Sequence, residues 1–269
     1  MKVKRMNNLK FVICAVAGMM VFSSVNNQVQ AAGWGTITGQ IVFEGDAPSL
    51  EMVVKKGDKS AKDAAVCAVD GVPNESLVVD SDTNGISHIF IYMTKSKKIH
   101  PDLKKSEKKE LVFDQKGCKF IPHTLVARTD QVVNVISSDN CSHNFHSFPF
   151  KNNAVNKIMK PNDKEGIMVK NRKSEKLPVQ VKCDIHPWMQ AYWLVLDHPY
   201  GTATDSNGKF EIKDIPAGKQ KFRVWQEKAG YVSLDSDNAK KSKRGFDIVI
   251  KDGETIDLGV IKVTASDFK

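Results

Sequence analysis

The chain has 269 residues, of which 41% are hydrophobic, and its formal net charge at pH 7 is +9. This length allows two small β domains or one large one, each with its own core. Basic residues are not interleaved with aromatic ones, so the composition argues against a nucleic-acid partner.

The N-terminus has the pattern of a secretory signal peptide. Four basic residues lie among the first ten, an apolar run covers 11–22, and Val29-Gln-Ala31 has the small-x-small pattern of a cleavage site. The apolar run is shorter than the roughly 20 residues of a membrane span, although an uncleaved anchor is the alternative. We predict a signal peptide over 1–31, an exported, periplasmic location and no stable membrane insertion after cleavage.

Short alternating patterns and frequent turn signals predict an all-β mature chain, because helical periodicity is nearly absent beyond the signal. We expect a long polar loop over 151–176. The expected strands are 36–43, 77–80, 87–94, 111–113, 120–126, 131–136, 179–183, 189–196, 210–212 and 221–225. We divide the mature chain into N-terminal strands with a lysine-rich insertion (32–110), a central β unit (111–197) and a C-terminal β-sandwich (198–269).

One segment contains most of the candidate metal-binding residues. Cys183-Asp-Ile-His186-Pro-Trp-Met189 spaces a thiolate, an imidazole and a thioether three residues apart, in a tight loop between two predicted strands. Such a loop can turn the three side chains toward one point. A thiolate with imidazole and a weak thioether suits copper, so we predict one mononuclear ion of the type 1, electron-transfer kind.

A further histidine has to come from another segment, and Ser142-His143-Asn-Phe-His146 is the natural source. Two histidines three residues apart cannot easily reach one metal from an extended segment. We favour His143, because Asn144 beside it can hydrogen-bond across to the cysteine loop. The predicted metal ligands are His143, Cys183, His186 and Met189.

These residues resemble a known family. Cys183-x-x-His186-Pro-x-Met189, preceded by His143-Asn144, is similar to the copper loop of the amicyanin and plastocyanin family, the cupredoxins, with the short amicyanin spacing. The resemblance covers about 111–197. It implies a Greek-key β-sandwich, the four ligands named above and single-electron transfer in the periplasm.

The C-terminal part carries a second resemblance. Thr204-Asp-x-Asn-Gly-x-Phe210 and Ile215-Pro-x-Gly218 are similar to carboxypeptidase-regulatory-like (transthyretin-like) β-sandwiches, and strand 36–43 resembles the first strand of that module. The whole mature chain resembles exported, methylamine-utilisation-like proteins, which join the two modules. The expected fold class is therefore all-β, with a cupredoxin sandwich and a small second sandwich. Gln226 stands where such proteins often have histidine, which argues against a second metal site there.

The cysteines outside the copper loop leave alternatives open. Cys14 is removed with the signal peptide, and the four remaining cysteines allow three pairings in an oxidising compartment. We predict a Cys67–Cys118 disulfide, which would stabilise the fold by roughly 3–4 kcal/mol. Cys141 is then unassigned, and a Cys141–Cys183 disulfide would abolish the copper site.

A zinc reading competes with copper. A structural zinc ion could take a Cys2His2 set formed by Cys141, His143, Cys183 and His186. His88 and His123, which lie at or within predicted strands, are expected to be structural residues.

The predicted function is one-electron transfer rather than catalysis, because we find no nucleophile–base set, phosphate loop or useful pair of carboxylates. His186 is the expected electron exit if its ring edge is exposed, with Pro187 and Trp188 forming an apolar docking patch for a redox protein such as a cytochrome or dehydrogenase. Copper delivery or storage and a structural interaction module are the alternatives. The lysine-rich run 95–109 is either a solvated loop or a docking face for an acidic partner.

Overall fold

In the computed structural model, which describes Met1 and residues 33–268, the chain is built from β-strands joined by turns. Apart from Met1, the predicted signal peptide lies outside the described residues. The strands are β1 (Trp34–Phe43), β2 (Met52–Val54), β3 (Val72–Pro73), β4 (Phe90–Met93), β5 (Glu110–Gln115), β6 (Phe120–Ile121), β7 (Thr124–Arg128), β8 (Val132–Ser137), β9 (His143–Phe148), β10 (Asn156–Met159), β11 (Ile167–Lys170), β12 (Val179–Lys182), β13 (Gln190–Leu196), β14 (Gly201–Ala203), β15 (Lys209–Pro216), β16 (Gly218–Gln226), β17 (Gly230–Tyr231), β18 (Lys240–Ser242), β19 (Gly245–Ile250) and β20 (Thr255–Val263). One short helix, α1 (Ala64–Cys67), lies between β2 and β3, and 3-10 turns cover Pro101–Leu103 and Ala265–Phe268. In the described part of the chain, no helix has both the length and the apolar character needed to cross a membrane.

Strands β5 to β13 form a β-sandwich, which we call the central sandwich. One sheet has the order β10-β9-β12-β13-β7 and the other has the order β11-β8-β5-β6. Inward-facing side chains alternate with outward-facing ones along β7 and β8, as expected for strands with one face on a core. Phe113 lies in that core and contacts Phe120, Phe145 and Trp193.

The remaining long strands form a second sandwich, the terminal sandwich. Its smaller sheet has the order β15-β1-β20, and its larger sheet has the order β14-β4-β16-β19-β18, with β17 paired to β16. Strand β1 pairs antiparallel with β15 and parallel with β20, so an N-terminal strand completes a sheet of C-terminal ones. This pairing agrees with the resemblance of strand 36–43 to the first strand of the second module. The segment boundaries drawn from the sequence remain predictions.

The predicted all-β class is confirmed, but three segments differ from expectation. Residues 77–80, predicted as a strand, form no regular strand and contribute only the isolated bridge between Val79 and Ile86. Residues 151–176, predicted as one loop, contain β10 and β11, which pair with β9 and β8. Both strands are short, lie at sheet edges and are mostly exposed, so no alternating pattern marked them. The segment that supplies His143 is also a strand, β9, rather than a loop.

A small structure covers one end of the central sandwich. It consists of β2, α1 and β3, residues 52–73, and we call it the cap. The predicted Cys67–Cys118 disulfide is confirmed and ties α1 to the turn between β5 and β6. Val54 and Val72 are buried in the same core cluster as the central sandwich. The cap is therefore both packed and covalently bound against this end.

His123 is a buried ion-pair centre between three parts of the fold. Its Nε2 lies 2.7 Å from Glu227 Oε1, just after β16, and its Nδ1 lies 3.7 Å from Glu75 Oε2, just after the cap. Burial acts to lower the pKa of His123, but the two carboxylates outweigh it and raise the pKa to about 9. The charged ring thus links the cap, the central sandwich and the terminal sandwich, in agreement with the structural role expected for it.

A His123→Gln variant should lose this link. Because the folded-state pKa lies near 9 and the ordinary value is 6.5, the stabilisation is complete below about pH 6.5 and is lost as the pH rises through about 9. We expect the wild type to exceed the variant in unfolding free energy by roughly 1–3 kcal/mol at low pH. Urea denaturation at about pH 6 and about pH 10 measures this difference. A difference that does not shrink at the higher pH would show that the folded protein does not hold His123 charged.

Candidate metal centre

Three of the predicted ligands meet inside one end of the central sandwich. His143 begins β9, and Cys183 and His186 lie in the loop between β12 and β13, which we call the ligand loop. Cys183 Sγ lies 3.9 Å from His143 Nδ1 and 3.8 Å from His186 Nδ1, and the two Nδ1 atoms are 2.9 Å apart. All three side chains are buried. A thiolate and two imidazoles therefore face one point.

The ligand loop folds back on the thiolate through its own backbone. His186 N donates to Cys183 Sγ at 3.4 Å, Cys183 N donates to Met189 O at 3.2 Å, and Met189 N donates to His186 O at 2.9 Å. These bonds place Met189 directly before β13, with its side chain buried in the core cluster that includes Cys183. Its role as a ligand remains a prediction.

Asn144 joins β9 to the ligand loop. Its backbone N donates to Cys183 Sγ at 3.4 Å, and its side-chain Oδ1 accepts from Asp184 N at 2.6 Å. The bond predicted from Asn144 to the cysteine loop is thereby confirmed. It fixes His143 and Cys183 relative to each other although 40 residues separate them.

Each imidazole is held by a carboxylate at its outer nitrogen. His143 Nε2 lies 2.9 Å from Asp139 Oδ2, and His186 Nε2 lies 2.9 Å from Asp63 Oδ2. Such a bond keeps the proton on Nε2 and leaves Nδ1 as a lone pair. Sequence reasoning missed both carboxylates. Asp139 precedes His143 by four residues and could have been noticed, whereas Asp63 lies in the cap, 123 residues from His186, without a local signal.

The three donor atoms fit a metal ion. With both Nδ1 atoms deprotonated, two lone pairs and a thiolate face one another and repel unless a cation lies between them; in the metal-free protein the proton on His143 Nδ1 serves this purpose. An ion with bonds of about 2.0 Å to nitrogen and about 2.3 Å to sulfur, as in zinc sites, separates sulfur from nitrogen by about 3.7 Å and the two nitrogens by about 3.5 Å in a trigonal arrangement. The observed sulfur–nitrogen separations are 3.8 and 3.9 Å, whereas the two Nδ1 atoms are 2.9 Å apart, so the two rings would have to separate slightly to hold the ion. One thiolate with two imidazoles is the donor set that suits copper.

The same contacts prepare the donors for a metal. Burial acts to raise the pKa of the Cys183 thiol, but hydrogen bonds from His143, His186 and two backbone N–H groups lower it to about 6. Burial acts to lower the pKa of His143, but Asp139 and the thiolate raise it to about 9. Near neutral pH the pair is thus a thiolate and an imidazolium, and a metal ion would take the place of the imidazolium proton.

His146 does not join the donor set. It lies three residues along β9 from His143 and so points to the opposite face of the sheet. Its Nδ1 lies 2.9 Å from Asp184 Oδ2, and its side chain is partly exposed. The spacing argument that both histidines cannot easily reach one metal, and the preference for His143 because of Asn144 beside it, agree with this geometry.

Cys141 lies on the wrong side of His143 for the zinc alternative. Its Sγ is 3.5 Å from His143 Nε2, the outer nitrogen, whereas Cys183 faces Nδ1. Burial and the nearby Asp139, Asp63 and Cys183 charges raise the pKa of the Cys141 thiol to about 12, so it stays protonated. Cys141 and Cys183 are both free, so the pairing that would abolish the copper site is not formed.

The expectation of an exposed electron exit at His186 is wrong. The residue is 0% exposed, because the cap covers this end of the sandwich and Asp63 occupies its Nε2. Of the two residues expected to form the apolar docking patch, Trp188 is only partly exposed and Pro187 is exposed. No local pattern in residues 52–73 indicates that they fold over the ligand loop.

Part of the chain is similar to solved copper proteins. Amicyanin from Paracoccus versutus is 15% identical over 39% of this chain and 96% of that chain, with a TM-score of 0.28. A reduced amicyanin variant is 17% identical over 39% of this chain and 97% of that chain, with a TM-score of 0.29. The copper-containing nitrite reductase from Thermus scotoductus is 15% identical over 32% of this chain but only 22% of that chain, with a TM-score of 0.29. No protein-family model and no curated protein matches the chain.

An Asp63→Asn variant tests the carboxylate that holds His186. Asparagine tolerates the left-handed backbone at this position (φ 52°) but removes the charge that fixes the imidazole. We expect copper affinity to fall by roughly tenfold or more, as for other carboxylates behind metal-bound histidines. Competition with a chromophoric chelator measures it. Asp58→Asn, which changes a cap carboxylate bonded to Ser60, is the matched control, and equal affinity in the two variants would contradict the assignment.

Proposed function

We propose that this chain is an exported one-electron carrier that holds a single type 1 copper ion. Copper would be bound by His143, Cys183 and His186, with Met189 as a weak axial ligand. The observation that carries the proposal is the buried triangle of one Sγ and two Nδ1 atoms, with a carboxylate behind each imidazole. The central β-sandwich and the order of the ligands along the chain agree with the resemblance to cupredoxins.

Copper, when bound, would supply a one-electron couple, and the protein would keep its surroundings unchanged in both oxidation states. Asp139 and Asp63 fix the two rings, and Asn144 fixes the ligand loop against β9. Two backbone N–H groups donate hydrogen bonds to the thiolate and would stabilise its negative charge. A site held from so many sides rearranges little, which favours fast electron transfer.

The same rigidity favours a carrier over copper delivery or storage. Exchange of copper with another protein requires that a ligand become accessible, whereas each of the three converging donors is buried and His186 lies beneath a disulfide-tethered cap. A purely structural module would give no reason for these donors to converge. Access of a substrate to the metal is closed in the same way, so we do not propose an enzymatic activity.

The remaining parts of the proposal follow from the sequence. The N-terminal pattern supports export to the periplasm or an equivalent compartment. The partner would be a redox protein such as a cytochrome or a dehydrogenase, and no nucleic acid is involved. The terminal sandwich would serve stability or interaction.

An absorption spectrum of the copper-loaded mature protein tests the function. A thiolate bound to copper(II) in a trigonal site should give an intense blue band with one copper ion per chain. Cys183→Ser should abolish the band, because it removes the thiolate that faces both Nδ1 atoms. Cys141→Ser is the matched control and should keep it. A colourless copper-loaded wild type, or loss of the band in the Cys141 variant, would refute the proposal.

A further inference from the structure

The usual short path to the metal, through the imidazole of the ligand loop, is closed in this protein. His186 is 0% exposed, and its outer nitrogen is bonded to Asp63 of the cap. The cap is fixed to the central sandwich by the Cys67–Cys118 disulfide. A partner protein therefore cannot contact the His186 ring itself, and a route on this side would have to run through Asp63, whose side chain is 39% exposed.

On the side of the Cys183 thiolate, covalent and hydrogen bonds lead to the protein surface. Asp184 follows Cys183 directly, and its carboxylate Oδ2 lies 2.9 Å from the Nδ1 atom of His146. The same carboxylate accepts from Asn144 Nδ2 at 2.9 Å, and Asn144 N donates to Cys183 Sγ. His146 also pairs in register with Lys182, the residue before Cys183. The His146 ring is thus joined to Cys183 by one hydrogen bond and the backbone of Asp184, and to its Sγ atom by a second route of three hydrogen bonds through Asp184 and Asn144.

His146 is part of an apolar strip on the outward face of the β10-β9-β12 sheet. Its ring lies 4.1 Å from the ring of Phe148, centroid to centroid. Phe148 is 41% exposed, and Ile158 on the neighbouring β10 is 66% exposed. Ile158 pairs with Asn144, two residues before His146 on the same face of β9. We call His146, Phe148 and Ile158 the aromatic strip.

Positive charge flanks the aromatic strip. Lys182 lies beside His146 on β12, and Lys160 follows the end of β10. One carboxylate, that of Asp184, also lies at the strip; its side chain is 52% exposed, and it accepts hydrogen bonds from Asn144 and His146. An apolar centre with lysines at its sides complements a partner that carries carboxylates around an apolar patch.

We propose that the aromatic strip is the docking surface for an acidic one-electron carrier protein, and that the electron passes through His146, Asp184 and Cys183. This inference rests on the proposed copper site. The partner is oxidised by one electron and the copper site is reduced by one, and no proton or group is transferred. The disulfide-tethered cap keeps a partner from direct contact with the His186 ring.

Binding can be observed without electron transfer. Oxidised flavodoxin, an acidic one-electron carrier, is added to the isotope-labelled copper(I) protein, which is diamagnetic, and amide shifts are recorded by NMR. We expect the largest shifts at the aromatic strip and Lys182, weakening as salt is raised. Shifts centred on the cap, on Pro187 and Trp188, or on the lysine-rich run 95–109 would overturn the proposal, as would the absence of any shift.

The rate of electron transfer is measured by stopped-flow reduction of the copper(II) protein with flavodoxin hydroquinone. Phe148→Ala should lower the second-order rate constant by roughly tenfold, because it removes the centre of the strip. Met168→Ala, which truncates another exposed apolar residue on the opposite sheet, is the matched control and should leave the rate unchanged. Absorption spectrum and midpoint potential should be the same in both variants. The potential and the spectrum report whether the copper site itself was disturbed.

The outcomes separate the two proposals. Equal rates for Phe148→Ala and Met168→Ala in blue proteins would contradict the docking surface and leave the copper site intact. If Trp188→Ala is reduced more slowly than the wild type and Phe148→Ala is reduced at the wild-type rate, docking takes place at the ligand-loop end instead. A wild type without a blue band would refute the proposed function itself.

Discussion

Two hydrogen bonds from imidazole to carboxylate determine what this protein can do. Asp139 and Asp63 hold the outer nitrogens of His143 and His186, and so both inner nitrogens are directed at Cys183. Without them each ring could rotate or take the other tautomer, and the three donors would not share one point. The rest of the site, from the Asn144 bridge to the backbone donors on the thiolate, keeps these three donors close together.

One of these carboxylates comes from a segment that has no counterpart in the predicted sandwich. The cap supplies Asp63, buries His186 and is locked by a disulfide to the turn between β5 and β6. The ion pairs of His123 connect the residues just after the cap to both sandwiches. The cap therefore holds the His186 ring in place and at the same time buries its edge.

The sequence was sufficient where the information is local. The spacing of Cys183, His186 and Met189 identified the ligand loop, and the three-residue step from His143 to His146 correctly placed the two on opposite sides. The hydrogen bond between Asn144 and the ligand loop was predicted from the position of Asn144 beside a candidate ligand. The all-β class was predicted from alternating patterns of apolar and polar residues, but the short exposed strands β10 and β11 show no such pattern. Asp63 and the cap depend on contacts over more than 100 residues, which no local pattern encodes.

The central claim is that a single thiolate and two imidazoles bind one copper ion. X-ray absorption at the copper edge of the loaded, disulfide-intact protein tests this most directly, because it counts sulfur and nitrogen neighbours. The account predicts one short sulfur and two imidazole nitrogens, unchanged in Cys141→Ser. Two short sulfur neighbours, or a shell of nitrogen and oxygen alone, would contradict it.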